Sequence, residues 1–124
     1  MNIPEELLYT KDHEWVHIDN DIAVVGITDY AQSELGDIIF VELPDENTSF
    51  NSGDSVGTIE AVKTVADIYI PLNGVITEVN RNLEDTPEFI NKDPYKTGWI
   101  LKVRNFTKDD SELLSVSEYI KLIK

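Results

Sequence analysis

Gly53-Asp54-Ser55-Val56-Gly57-Thr58-Ile59-Glu60-Ala61-Val62-Lys63-Thr64-Val65-Ala66-Asp67-Ile68-Tyr69-Ile70-Pro71-Leu72-Asn73-Gly74 holds one lysine near its centre. Ser55 to Glu60 has strand composition through Val56 and Ile59, and Ala66 to Ile70 mirrors it. Pro71-Leu72-Asn73-Gly74 is a turn, after which Val75, Thr77 and Val79 alternate as a further strand. Gly53 lies ten residues before Lys63 and Gly74 eleven after it, so two turns flank the lysine almost symmetrically. Lys63 falls in the connection Ala61 to Val65, at the tip of a hairpin, where its ε-amine is expected to project away from the sheet. That placement suits a covalent prosthetic arm. A solvated surface lysine in a turn is the commoner role, and geometry alone favours it.

Working outward, residues 13–18 and 22–27 read as two strands joined by the turn Asp19-Asn20-Asp21. Thr28 or Asp29 can cap a helix filled by Tyr30 to Leu35, and Gly36 stands where that helix ends. Residues 37–43 return to strand composition and stop at Pro44. Downstream, Thr86 and Pro87 predict a short helix start, Trp99 to Arg104 a strand, and Thr107 to Leu114 a helix. Ser115 with Glu118 forms a capping box before Tyr119, Ile120 and Leu122. The layout predicts a mainly β, sandwich-like core with peripheral helices in the middle and at the C-terminus. Residues 1–124 are expected to form a single domain, since no low-complexity linker interrupts them.

The formal net charge is −14, from 10 Lys+Arg against 24 Asp+Glu. Such a surface repels phosphate backbones, so neither nucleic acid nor an anionic membrane is expected as partner. It suits docking to basic faces. There is no cysteine, which excludes disulfides, thiolate nucleophiles and cysteine metal sites. His13 and His17 are four apart in a strand-like stretch, which separates them along one face, and no metal site is expected. The N-terminus lacks the basic start and apolar run of a signal peptide and the Arg-rich look of a transit peptide. The expected location is the cytoplasm, or the mitochondrial matrix if a presequence has been removed.

Glu60 lies three residues before Lys63 and Asp67 four after, positions expected to come close across the hairpin. As surface ion pairs they would be worth roughly 0–1 kcal/mol. Alternatively they mark the lysine for a modifying enzyme and later hold a cationic cargo.

Glu60-Ala61-Val62-Lys63-Thr64 and Asp67 to Gly74 resemble the lipoylation segment of glycine cleavage H-proteins. The resemblance extends in colinear order through His13-Glu14-Trp15-Val16, Gly26 to Gln32, Leu35-Gly36-Asp37, Val41 to Pro44, Glu78-Val79-Asn80 and Pro94 to Trp99. The family often has Ser where this chain has Ala61, and a small residue such as Ala where it has Thr64. The resemblance implies a barrel-sandwich hybrid like that of lipoyl domains, and a non-catalytic carrier with lipoate in amide linkage to Lys63. It implies three enzymes as partners: the glycine decarboxylase (P-protein), the aminomethyltransferase (T-protein) and dihydrolipoamide dehydrogenase (L-protein). A lipoate-protein ligase or lipoyl/octanoyl transferase would modify Lys63, with Glu60 helping recognition.

The aminomethyl cargo so implied is cationic and prone to hydrolysis, which calls for carboxylates and a water-excluding wall near the resting arm. Glu14 and Asp67 match family positions resembling a cleft lining, and Asp12 is a third candidate from position. Trp15 and Trp99 are read as core residues. A lipoyl domain of a 2-oxoacid dehydrogenase typically has Asp before its lysine, where Val62 stands here. A biotin carrier typically flanks its lysine with Met, and the only Met is Met1. A lipoate-relay protein would share arm and fold. A hydrolase using Glu14 and Asp67 has no supporting nucleophile motif.

Overall fold

The computed structural model describes residues 1–107 and 113–124. Two antiparallel sheets enclose the core. One has six strands: β1 (Leu8–Tyr9), β2 (Glu14–Asp19), β3 (Ile22–Ile27), β9 (Leu101–Thr107), β8 (Asn73–Val79) and β5 (Ser49–Phe50), in that spatial order. The other has three, in the order β4 (Ile38–Glu42), β6 (Ser55–Ala61) and β7 (Val65–Tyr69). Val16, Ala23, Val25, Ile76, Leu101 and Val103 of the large sheet and Val41, Ile59 and Ile68 of the small one belong to a single buried cluster. The sheets therefore face each other across one apolar layer, a barrel-sandwich arrangement that does not close into a barrel.

Alternation explains the first hairpin. Asp19 pairs with Ile22, and Asn20 takes the left-handed conformation at φ 56° that Asn tolerates in a tight turn. His13 departs from the expected strand. Its φ is 69°, it closes a turn by donating its N–H to the Thr10 carbonyl, and β2 begins one residue later. Trp15 explains Gly26. The indole lies so close over this glycine that a Cβ there would stand 2.7 Å from three ring atoms. The indole N–H donates to the Pro94 carbonyl at 3.0 Å.

Helix α1 (Asp29–Leu35) has Thr28 as N-cap, its hydroxyl accepting from the Ala31 N–H, and ends at Gly36. Further on, the expected helix start at Thr86 and Pro87 is displaced. A four-residue helix, α2 (Asn82–Asp85), precedes it, and the Thr86 N–H closes that helix by bonding to the Asn82 carbonyl. Helix α3 then runs Phe89–Lys92 with Glu88 before it. The last strand also begins two residues later than expected and extends to Thr107. The expected helix from Thr107 to Leu114 does not hold at its described ends. Thr107 belongs to β9, and Leu114 forms an isolated bridge with Tyr9; residues 108–112 lie outside the described residues. Helix α4 (Val116–Ile123) carries the expected capping box between Ser115 and Glu118. Its Tyr119 stacks on Tyr9 with ring centroids 4.7 Å apart, and its hydroxyl meets Thr28 Oγ1 at 2.7 Å and His13 Nδ1 at 2.9 Å. Among the described residues no helix is long and apolar enough to cross a membrane.

Candidate functional site

Lys63 is exposed at the β6–β7 tip. The tip is a tight turn in which the Ala61 N–H donates to the Thr64 carbonyl at 2.8 Å, and the Val62 N–H donates to the Asp37 carbonyl at 3.0 Å. The lysine does not simply stand away from the sheet, as its position alone implied. Its alkyl stem crosses Gly36, where an added Cβ would lie 3.3 Å from Cε and 3.8 Å from Nζ. Gly36 has φ +81°, a conformation that favours glycine, so the bare backbone both ends α1 and makes a ledge for the stem. Asn91 of α3 fixes that ledge. Its Nδ2 donates to the Gly36 carbonyl and to Gln32 Oε1, and its Oδ1 accepts from the Ile38 N–H, each at 2.9 Å.

Glu60 and Asp67 are both exposed on the outer side of the small sheet. The register pairs Glu60 with Val65 and Thr58 with Asp67, so the two carboxylates are diagonal rather than directly opposed. Among the described residues neither forms an ion pair with Lys63. Asp67 instead accepts from the Tyr69 hydroxyl at 3.3 Å.

Glu14 is different. It opens β2, is only 3% exposed, and lines a cleft of about 340 Å³ together with Thr10, Asp12, Tyr69 and Leu114. The Thr10 hydroxyl donates to Glu14 Oε1 at 2.6 Å and accepts from the Glu14 N–H at 3.1 Å. Burial pushes the Glu14 carboxyl up to about 7, and nearby Asp12 adds to the rise. The Thr10 hydroxyl and the Tyr69 backbone N–H act against it. Such a group changes charge readily near neutrality when a cation arrives. Asp12 lines the same cleft, whereas Asp67 lies outside it and approaches only through Tyr69. From Lys63 the strand rise gives at most roughly 13 Å to Asp67 and roughly 20 Å to Tyr69, which lines the cleft.

Of the two histidines, His13 bonds to Tyr119 and burial lowers its pKa, while His17 is exposed on β2. Trp15 is buried; Trp99 is half-buried, with Lys102 Nζ 4.9 Å above its ring. Thr10, Tyr69 and Asn91 were missed in the sequence. Thr10 meets Glu14 across a turn whose closure the sequence did not announce, and Tyr69 meets it through the folding of a distant segment. Asn91 sits in a helix too short to announce itself.

The model of the family described as glycine cleavage H-protein matches residues 7–124. A glycine cleavage system H protein of Herpetosiphon aurantiacus is 57% identical over 122 residues, covering 98% of this chain and 94% of that protein. One from Staphylococcus epidermidis is 52% identical over 126 residues, covering 99% and 98%. The crystal structure of a glycine cleavage system H protein from Mycobacterium marinum superposes with a TM-score of 0.88 at 39% identity, over 96% of this chain and 97% of that one.

Proposed function

Because the chain belongs to the glycine cleavage H-protein family, a family of non-catalytic carriers, we propose that it carries a lipoyl group in amide linkage to Lys63. In this reading it shuttles the aminomethyl group of glycine from the decarboxylase to the aminomethyltransferase. It then presents the reduced dithiol to dihydrolipoamide dehydrogenase. The observation that carries the reading is the pairing of an exposed lysine on a bare glycine ledge at one end of β7 with a buried carboxyl, Glu14 of β2, in the cleft that Tyr69 lines at the other end of β7.

When bound, the lipoyl group supplies the sulfur chemistry, which a chain without cysteine cannot supply itself. Lys63 offers its amine, and the Gly36 ledge keeps the stem in one place. Glu60 stands on the lysine hairpin as a recognition mark for the lipoate-protein ligase or lipoyl/octanoyl transferase. Glu14 holds the cationic cargo in the cleft, with Asp12 beside it and Asp67 at its approach. An ionised carboxyl there keeps the amine protonated and so removes the lone pair that would expel the thiol. Apolar lining from Leu114 and Ile70 limits water.

Reconstitution tests this directly. Lipoylated protein mixed with P-protein, T-protein, dihydrolipoamide dehydrogenase, NAD, glycine and tetrahydrofolate is expected to support continuous CO2 release at a rate proportional to its concentration, while unlipoylated protein supports none. Lipoylated protein that supports no glycine turnover while being modified normally would instead favour the lipoate-relay role.

A further inference from the structure

The outer side of the small sheet has a feature that carrying an arm does not require. Among the described residues the exposed large hydrophobic side chains are Met1, Ile39, Phe40, Val62, Val65 and Leu122. Four of these six stand around Lys63. Val62 and Val65 flank it in the tip, 72% and 60% exposed. Ile39 and Phe40 come from β4, more than twenty residues earlier in the chain.

A backbone irregularity puts them there. Strict alternation in β4 would bury one of any two neighbouring residues. The register between β4 and β6 shifts between Ile38 and Phe40, and β4 buries Ile38 and Val41 while leaving both Ile39 and Phe40 outside. Bulges re-aim side chains in this way and recur beside functional sites. Phe40 thereby joins a cross-strand row Phe40, Glu60, Val65, next to the tip. The row behind it is Glu42, Thr58, Asp67. A mainly apolar edge nearest the lysine, with Glu60 at its centre, is thus backed by two further carboxylates, Glu42 and Asp67, with no core to justify leaving the apolar residues in water.

We infer that Ile39, Phe40, Val62 and Val65, with Glu60 among them and Glu42 and Asp67 behind, form the docking face for the enzyme that acylates Lys63, an enzyme presenting an apolar pocket with a basic rim. The inference rests on the reading of Lys63 as acceptor. Reach selects this partner over the others. Acylation forms the bond from Nζ to the acyl carbonyl and breaks the bond from that carbonyl to its leaving group, the phosphate oxygen of an acyl adenylate. The amine gives up a proton to a base in that enzyme. Nζ must come within about 3–3.5 Å of the carbonyl carbon. With a bare lysine as the only tether, the modifying enzyme has to close on the tip itself. For enzymes acting at the far end of a loaded arm, the arm's length separates the reacting atoms from the tip, so their chemistry does not demand that closeness. The acidic rows match a basic rim, which steers encounter.

The test uses a full-length chain that docks without reacting. The Lys63→Arg protein is added as a competitor while a purified lipoate-protein ligase modifies the parent from lipoic acid and ATP. It is expected to inhibit with a constant close to the parent's KM. The same protein with Ile39→Ser and Phe40→Ser is expected to inhibit about tenfold more weakly, with an unchanged circular dichroism spectrum and thermal midpoint. With Leu122→Ser, an equally exposed site remote from the tip, it is expected to inhibit as before. In the parent background, Ile39→Ser with Phe40→Ser should raise KM and leave kcat within about twofold, and Phe40→Leu should restore KM. Equal inhibition by the competitor with and without the two serines overturns the docking face and leaves the acceptor reading intact. Failure of the parent to gain a lipoyl mass on Lys63 overturns both.

Discussion

The β6–β7 tip and the Glu14 cleft lie at opposite ends of one strand and are built on opposite rules. At the tip, apolar side chains are exposed and the lysine is held by backbone, with Gly36 beneath and the Asp37 carbonyl behind. In the cleft, a carboxyl is buried and held by a side chain, Thr10, and by the Tyr69 N–H. A group meant to meet other proteins gains from standing in water. A group meant to hold a charge gains from exclusion of water, because a contact at 4 Å rises from about 1 kcal/mol in water to about 4 kcal/mol at an effective dielectric of 20. The difference teaches that accessibility and electrostatic grip have been assigned to separate ends of β7.

The largest effect should come at the exposed end, and on chemistry alone. Lys63→Arg is expected to abolish the lipoyl mass completely, as read by intact-mass spectrometry after incubation with ligase. The thermal midpoint should move little, since an exposed tip contributes little stability. A lipoyl mass on any other lysine would break the comparison at its first term.

At the buried end the same kind of substitution should act on stability, and with a pH signature. The folded Glu14 keeps its proton up to about 7, whereas the unfolded chain releases it near 4.5. Between these values the folded state binds more protons, so the Glu14 contribution to stability falls as pH rises and levels off above about 7. The loss amounts to about 3 kcal/mol across that window. Glu14→Gln cannot ionise and should escape it. Urea unfolding of both proteins at pH 5 and pH 8 measures the difference of differences, which cancels the other carboxylates. No gain for the Gln variant at the higher pH would mean that the cleft is wetter than its 3% exposure implies.

The smallest effects separate the two carboxylates proposed to serve the cargo. Glu14→Ala is expected to raise ammonia release from charged protein, without T-protein present, about tenfold, corresponding to about 1.4 kcal/mol of lost grip on the docked cargo. Asp67→Ala should raise it within about twofold, because Asp67 is exposed and outside the cleft. Added salt should erase the Asp67 effect and leave most of the Glu14 effect. Equal leakage from both variants would remove the distinction between the two ends.

What was legible in the sequence divides along the same line. The tip could be read because the signals lie beside Lys63: two strand-like runs and a turn at each outer end. The Thr28 cap and the Ser115–Glu118 box are equally local, and both hold. The identity of Glu14 as a candidate came from resemblance, but its burial depends on Thr10 across a turn, Tyr69 from another sheet and Leu114 from the far end of the chain. None of these contacts has a period. The exposure of Phe40 was hidden for a related reason. Residues 37–43 read as an ordinary strand, and only pairing with β6 creates the shift that turns two neighbours outward. Thr86 and Pro87 misled because a cap-like residue can close one short helix as readily as open the next.

The order of strands in the large sheet has a consequence for the protein while it is being made. β9, the last strand synthesised, sits between β3 and β8 and joins the two halves of that sheet. Leu114, which pairs with Tyr9 and lines the cleft, emerges later still, followed by the Tyr119 that stacks on Tyr9. The small sheet needs nothing beyond Tyr69. On the ribosome, the hairpin bearing Lys63 therefore has all its strands well before the cleft has its walls, and the proposed point of attachment is complete before the proposed resting place.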